Sequence, residues 1–205
     1  MSVDQPILYL VRHGETTWNR VGRLQGHLDS ELTPAGVEQA RAIGEIFRRE
    51  IFHINEVCIE TSPSGRAHRT ATIIADALGI SGDTLIITPL LAEHDFGDWS
   101  GLIPSEIDSK YPGARVERQA RKWDYIVPRG ESYALVAARA QEWLSMKRSA
   151  TTTIAVTHEI ISRTIQGAYA GLTVEETLAR SHRHDRIYRL QGGLIDGQDV
   201  LKKRP

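Results

Sequence analysis

The stretch Ile7-Leu8-Tyr9-Leu10-Val11-Arg12-His13-Gly14 decides the fold reading. Five apolar residues run without interruption and stop at a guanidinium and an imidazole. A strand with one wet face alternates between apolar and polar residues. A continuous run instead suits a strand buried on both faces, as in a parallel sheet covered by helices. The pattern recurs twice. Val57-Cys58-Ile59 ends at Thr61-Ser62-Pro63, and Thr153-Ile154-Ala155-Val156 ends at Thr157-His158. Each run is followed by a helix-like segment, and strand, polar turn and helix in alternation indicate an α/β layered fold.

The helices carry start and stop signals. Thr33 before Pro34 reads as an N-cap with proline at the first helical position, opening a helix to about Glu50. Ser62 or Ser64 caps a helix reaching toward Leu78, with Gly79 as its stop. Thr173 and Glu176 have capping-box spacing. Glu131 to Lys147 shows apolar residues at helical spacing (Leu135, Val136, Ala140, Leu144), and late strands are expected at Thr84–Thr88 and Arg186–Leu190. The expected architecture is a three-layer, mostly parallel sheet flanked by helices, forming one domain over 1–205. Residues 98–130, rich in Pro, Gly, Arg and Lys, read as a small inserted helical lid.

Composition narrows the function classes. The chain has 205 residues, is 40% hydrophobic, and carries a formal net charge of -1, so no charge excess points to nucleic acid or an anionic membrane. The single cysteine, Cys58, excludes an internal disulfide and reads as a small core hydrophobe in a buried strand. Met1 to Pro6 lack a basic segment followed by a long apolar stretch, so a cytoplasmic protein without a signal peptide is expected.

In an open α/β sheet, ligands bind beyond the carboxyl ends of the strands. If the three runs are parallel, one sheet edge receives Arg12 and His13, then Ser62 with Arg66, then His158. Arginine presents a planar fork to phosphate oxygens. Histidine is a nucleophile when neutral and a donor when protonated. Nearby arginines would keep His13 unprotonated. One histidine or arginine at a strand end is ordinarily structural; the joint placement reads as an anion site.

The residues also resemble a known family. Leu10-Val-Arg-His-Gly-Glu-Thr-Thr-Trp-Asn19 is similar to the signature of the histidine phosphatase (phosphoglycerate mutase-like) superfamily. The resemblance continues through Gln25-Gly26, Asp29, Leu32–Gly36, Ser62–Ala71, Leu91–Gly101, Gly130–Ser132 and Val156–His158, in the family's order. It implies that His13 forms a phosphohistidine and that Arg12, Arg66 and His158 bind the transferring group. Asn19 adds a polar contact, and the Gln25-Gly26 turn lines the entrance. Glu93 is the proton donor to the leaving oxygen and then the base that activates water, with Asp95 and Asp98 as neighbouring alternatives. A carboxyl in a closed, anion-binding site suits a general acid.

The chain departs from the family at two positions. Glu159 follows His158 where glycine is common, and it would repel an anion unless it points away or pairs with an arginine such as Arg163. Arg129 replaces a common small residue and is read as facing substrate. The basic cluster Arg115, Arg118, Arg121 and Lys122 reads as a solvated helix face or, within a lid, as a steering surface. His182 and His184 read as a polar surface segment rather than metal ligands.

The expected function is hydrolysis of a small phosphorylated metabolite through a phosphohistidine, with no metal and no cofactor. The alternatives are phosphoglycerate mutase-type transfer and, more remotely, non-catalytic phospho-ligand binding. No nucleic-acid or membrane partner is expected; oligomeric state is open, a homodimer included.

Overall fold

The computed structural model describes residues 6–51, 56–147 and 152–201. The reading of Met1 to Gln5 falls outside the described residues. In chain order the elements are β1 (Ile7–Arg12), α1 (Thr17–Arg20), α2 (Pro34–Glu50), β2 (Val57–Thr61), α3 (Gly65–Leu78), β3 (Ile86–Ile87), α4 (Pro104–Lys110) and α5 (Ala114–Ala120). There follow α6 (Tyr133–Ser145), β4 (Thr152–Thr157), α7 (Glu159–Ala170), α8 (Val174–Ala179), β5 (Arg186–Gln191) and β6 (Leu194–Asp199).

The sheet order is β3-β2-β4-β1-β5-β6. The first four strands are parallel, and β5 and β6 are antiparallel additions. This is the α/β, mostly parallel sheet flanked by helices that the apolar runs indicated. Consecutive residues of β1 belong to opposite cores. Leu8 and Leu10 pack with Trp143, Ile161 and Ile165 on the side of α6 and α7. Tyr9 and Val11 pack with Ile43, Phe47 and Ile74 on the side of α2 and α3. Both faces of the strand are therefore dry, which is why its sequence does not alternate. Each such side chain contributes about 1.5–3 kcal/mol on full burial.

Two helix starts follow their capping signals, and a third has a cap that the apolar spacing did not name. The Thr33 hydroxyl accepts from Gly36 N, and Ser132, the unnamed cap, accepts from Leu135 N. Thr173 and Glu176 form the reciprocal capping box of α8. Ser64 stands at the N-cap of α3 but makes no side-chain cap. Asp29 takes that place, its carboxylate accepting from Arg66 N at 3.2 Å, where the positive end of the helix dipole favours an anion.

Three sequence expectations need correction. The late strand expected at Thr84–Thr88 contracts to Ile86–Ile87, which pair with Glu60 and Thr61 of β2. Strand β6 was not expected at all. It is mostly exposed and so has no apolar run to betray it. It is joined to β5 by Gly192-Gly193, both at positive φ (60° and 78°), as a two-residue hairpin turn of the primed kind requires. Cys58 is half-buried rather than core, and burial raises its thiol pKa. The 98–130 region contains α4 and α5; its Trp99, Ile107 and Val127 join the core on the α6–α7 side. Among the described residues, no helix is long and apolar enough to cross a membrane.

The loop after β1 presses directly on the start of α2. A Cβ on Gly36 would lie 2.1 Å from Glu15 O, and one on Gly14 would lie 2.3 Å from Gly36 O. These are backbone contacts that no rotamer change relieves. Gly36→Ala is expected to lower unfolding free energy by about 1–3 kcal/mol, read from the denaturant midpoint; an unchanged midpoint would show that the close approach is dispensable.

Candidate active site

Parallel pairing aligns the carboxyl ends of the central strands. Arg12 lies opposite Thr157, and Thr61 opposite Val156. The ladder continues one residue further on each side: His13 N donates to Thr157 O at 2.9 Å, and Ser62 N donates to Val156 O at 3.0 Å. His13, Ser62 and His158 are thus fixed by main chain at one edge. From α3, Thr70 accepts from Gly14 N (3.0 Å) while donating to Arg66 O (2.8 Å), which ties the loop carrying His13 to the helix carrying Arg66.

His13 is 3% exposed. Its Nδ1 lies 2.8 Å from the carbonyl of Gly14. A carbonyl only accepts, so Nδ1 carries the proton and Nε2 holds the lone pair. Burial, then His158, Arg12, Arg66 and His184, hold its pKa well below the usual imidazole range. His158 stands beside it with ring centroids 5.1 Å apart. Its Nε2 meets the hydroxyls of Ser62 (2.8 Å) and Ser64 (3.3 Å). Burial and the same two arginines depress its pKa strongly.

Arg66 is 2% exposed. It donates to the carbonyls of Gly26 (2.8 Å) and Leu28 (2.6 Å) and pairs with Asp29 (2.9 Å). Arg12 donates to His182 O (2.8 Å) and pairs with Glu159 (2.8 Å). Among the described residues, the Nε of both arginines and Nδ1 of His158 are buried without a hydrogen-bond partner. Buried polar groups without partners are costly, and the guanidinium groups of Arg12 and Arg66, both on the wall of one cavity, are placed to donate to an oxyanion.

A cavity of about 1150 Å³ opens here. Arg12, His13, Asn19, Gln25, Gly26, Arg66 and Glu93 all line it. His158 does not reach its wall and is fully buried beside His13. Gln25 is spent internally, donating to Thr16 (2.9 Å) and accepting from Ser30 (3.0 Å). Asn19 Oδ1 accepts from Thr16 N at 3.0 Å. Glu93 sits at the N-terminus of α7, where the amides of Ile160 and Ile161 donate to its carboxyl at 3.2 and 3.3 Å. Asp95 and Asp98 are not on the cavity wall. Asp95 accepts from Gly97 N (2.8 Å), and Asp98 pairs with Arg129.

Other readings change. Arg129 is 84% exposed in its side chain and bound to Asp98, so it does not face the cavity. Arg115, Arg118 and Lys122 do line it, while Arg121 pairs with Glu117 on the exposed side. Of the two alternatives for Glu159, the pairing with Arg163 is the one observed, and Arg12 is a second partner. His182 is not a surface residue. It is fully buried, with Nδ1 at the Ser162 hydroxyl (2.6 Å). His184 donates from Nδ1 to His13 O at 2.6 Å. Sequence reasoning missed this support because both histidines stand among charged residues, which gave no periodic trace of burial.

A sheet edge presenting a neutral histidine between buried arginines, beside a cavity also lined by residues of α4 and α5, defines the histidine phosphatase class. Residues 8–193 match the histidine phosphatase superfamily (branch 1), and the chain belongs to that family. Among its relatives, a 2,3-bisphosphoglycerate-dependent phosphoglycerate mutase of Methylobacterium radiotolerans is 35% identical over 133 residues, 65% of this chain and 62% of the mutase. The match thus spans less than two thirds of that mutase's length. Phosphoserine phosphatase 1 of Hydrogenobacter thermophilus is 33% identical over 174 residues, 82% of this chain and 78% of the phosphatase. The structure of a mycobacterial glucosyl-3-phosphoglycerate phosphatase with VO3 superposes with a TM-score of 0.76 at 26% identity, covering 96% of this chain and 98% of that one.

Buried neutral histidines make stability depend on pH. His94 and His184 titrate at about 4 and His182 at about 3, each chiefly through burial, with His13 and His158 also lowered. Between these values and about 6.5 the unfolded chain binds more protons than the native one, so stability rises with pH in that window. Thermal melting is expected to be flat above about pH 7 and to drop progressively toward about pH 4; a midpoint unmoved across that range would contradict the buried neutral state.

Proposed function

We propose that this chain is a phosphomonoester hydrolase that works through a phosphohistidine on His13. One observation carries the reading: Nδ1 of His13 is committed to the Gly14 carbonyl, which leaves Nε2 as an unprotonated nucleophile, beside two arginines with unpartnered buried Nε groups.

In the first half-reaction Nε2 attacks phosphorus and the P–O bond to the alcohol breaks. Glu93 gives the leaving oxygen its proton. In the second, water attacks the phosphohistidine, Glu93 accepts a proton from that water, and the N–P bond breaks to release phosphate and neutral His13. Phosphoryl transfer asks mainly for positioning and charge stabilisation, here assigned to Arg12, Arg66 and His158. Asn19, Gln25 and Gly26 shape the entrance. Glu93 lines the same cavity as His13 and sits close enough to Arg12 and Arg66 to act on both electrostatically. Residues 98–130 form the lid that contacts the alcohol.

Phosphoglycerate mutase chemistry would use the same residues and return the phosphoryl group to another oxygen. Hydrolysis is favoured by the small lid, two helices of seven residues each.

The wild type is expected to hydrolyse an aryl phosphate, and His13→Ala to lose at least about a thousandfold in kcat/KM. A quenched reaction should trap an acid-labile, alkali-stable phosphoenzyme only when His13 is present. Rapid formation of 2-phosphoglycerate from 3-phosphoglycerate with the bisphosphorylated primer would instead establish a mutase. Equal activity of His13→Ala would end the phosphohistidine reading.

A further inference from the structure

Glu159 stands where the family resemblance leads one to expect glycine. A carboxylate there is at first sight an obstacle, since it adds negative charge beside the site proposed for the phosphoryl group. Its contacts argue otherwise. Oε2 pairs with Arg12 at 2.8 Å, and Oε1 pairs with Arg163 at 2.7 Å. The two arginine side chains are only 14% and 9% exposed. One carboxylate therefore separates and balances two desolvated guanidinium groups.

Each end of this bridge is anchored. Glu159 is the first residue of α7, where negative charge is favoured by the helix dipole. Arg163 is one helical turn on, and its Nη1 donates to the Tyr133 hydroxyl (3.3 Å) and to Leu178 O (3.4 Å). On Arg12, Nη1 donates both to the Glu159 carboxylate and to the carbonyl of His182. This double grip holds the guanidinium from one corner while Arg12 remains on the cavity wall. The triad keeps a net positive charge, so it still attracts an anion. Without the carboxylate, two buried like charges would face each other, a costly arrangement.

We propose that Glu159 is a positioning residue that fixes the guanidinium of Arg12 for the phosphoryl group by balancing it against Arg163. The inference rests on the phosphate-binding part of the proposed function but not on turnover. Simple repulsion makes the opposite prediction: removing Glu159 would tighten anion binding.

The test is calorimetric titration of inorganic phosphate into the wild type, Glu159→Ala, the isosteric Glu159→Gln, Arg163→Met, and each Glu159 variant combined with Arg163→Met. Removal of the carboxylate is expected to weaken phosphate binding about tenfold or more. Adding Arg163→Met should restore most of that loss, because the unbalanced charge is gone. General damage to the fold would instead give additive losses. Phosphate bound as tightly or more tightly by both Glu159 variants overturns the proposal, and so does additivity with Arg163→Met. If phosphate binding depends on Glu159 as described while no ester is hydrolysed, the enzyme reading fails and this inference stands. If the wild type binds no phosphate, both fall.

Discussion

The hydrogen bond from His13 N to Thr157 O is the constraint on which the rest of the site depends. It is the last rung of the parallel ladder between β1 and β4, and it sets the backbone of His13 relative to His158. The neighbouring bond from Ser62 N to Val156 O does the same for the segment that leads into α3 and Arg66. Three chain segments far apart in sequence are thereby brought together by main-chain geometry rather than by their side chains. The side chains need only choose rotamers.

That arrangement gathers cations and imidazoles in a place that water has left. Burial disfavours charge on the histidines, and the arginines disfavour it further, so both central rings have strongly lowered pKa values. The arginines cannot shed their charge and are held by carboxylates, one of them shared. Asp29 holds Arg66 from the loop before α2, and Glu159 holds Arg12 from the start of α7. The counter-ions sit to one side, with the Nε groups left unpaired. Buried carbonyls supply the remaining partners, including His182 O for Arg12 and Gly26 O for Arg66. The segment carrying His182 and His184 braces both members of the Arg12-His13 pair, although it lies some 170 residues away in the chain.

Much of this was legible in advance wherever burial left a periodic trace. The uninterrupted run Ile7–Val11 announced a strand with two dry faces, and Thr33-Pro34 and Thr173 to Glu176 announced helix starts. Where an element stays wet, the trace vanishes. Strand β6 is almost entirely exposed, so only Gly192-Gly193 hinted at a hairpin. Ser64 looked like a capping residue by type, yet its hydroxyl lies near His158 and the cap is made by Asp29 from another loop. His182 looked solvent-facing because its neighbours in sequence are charged; its neighbours in space are Ser162 and Tyr188.

By itself the sequence determined the α/β architecture, the family, and the set of residues that converge at the sheet edge, because these follow from short-range periodicity and from motifs carried on single segments. Only the tertiary structure decided which nitrogen of His13 is left unprotonated, that His158 stands behind the cavity wall, and that Glu159 joins Arg12 to Arg163. Those outcomes depend on what lies opposite each side chain across the fold, and the energy of a buried charge or lone pair is set by that surrounding, not by the residue's neighbours along the chain.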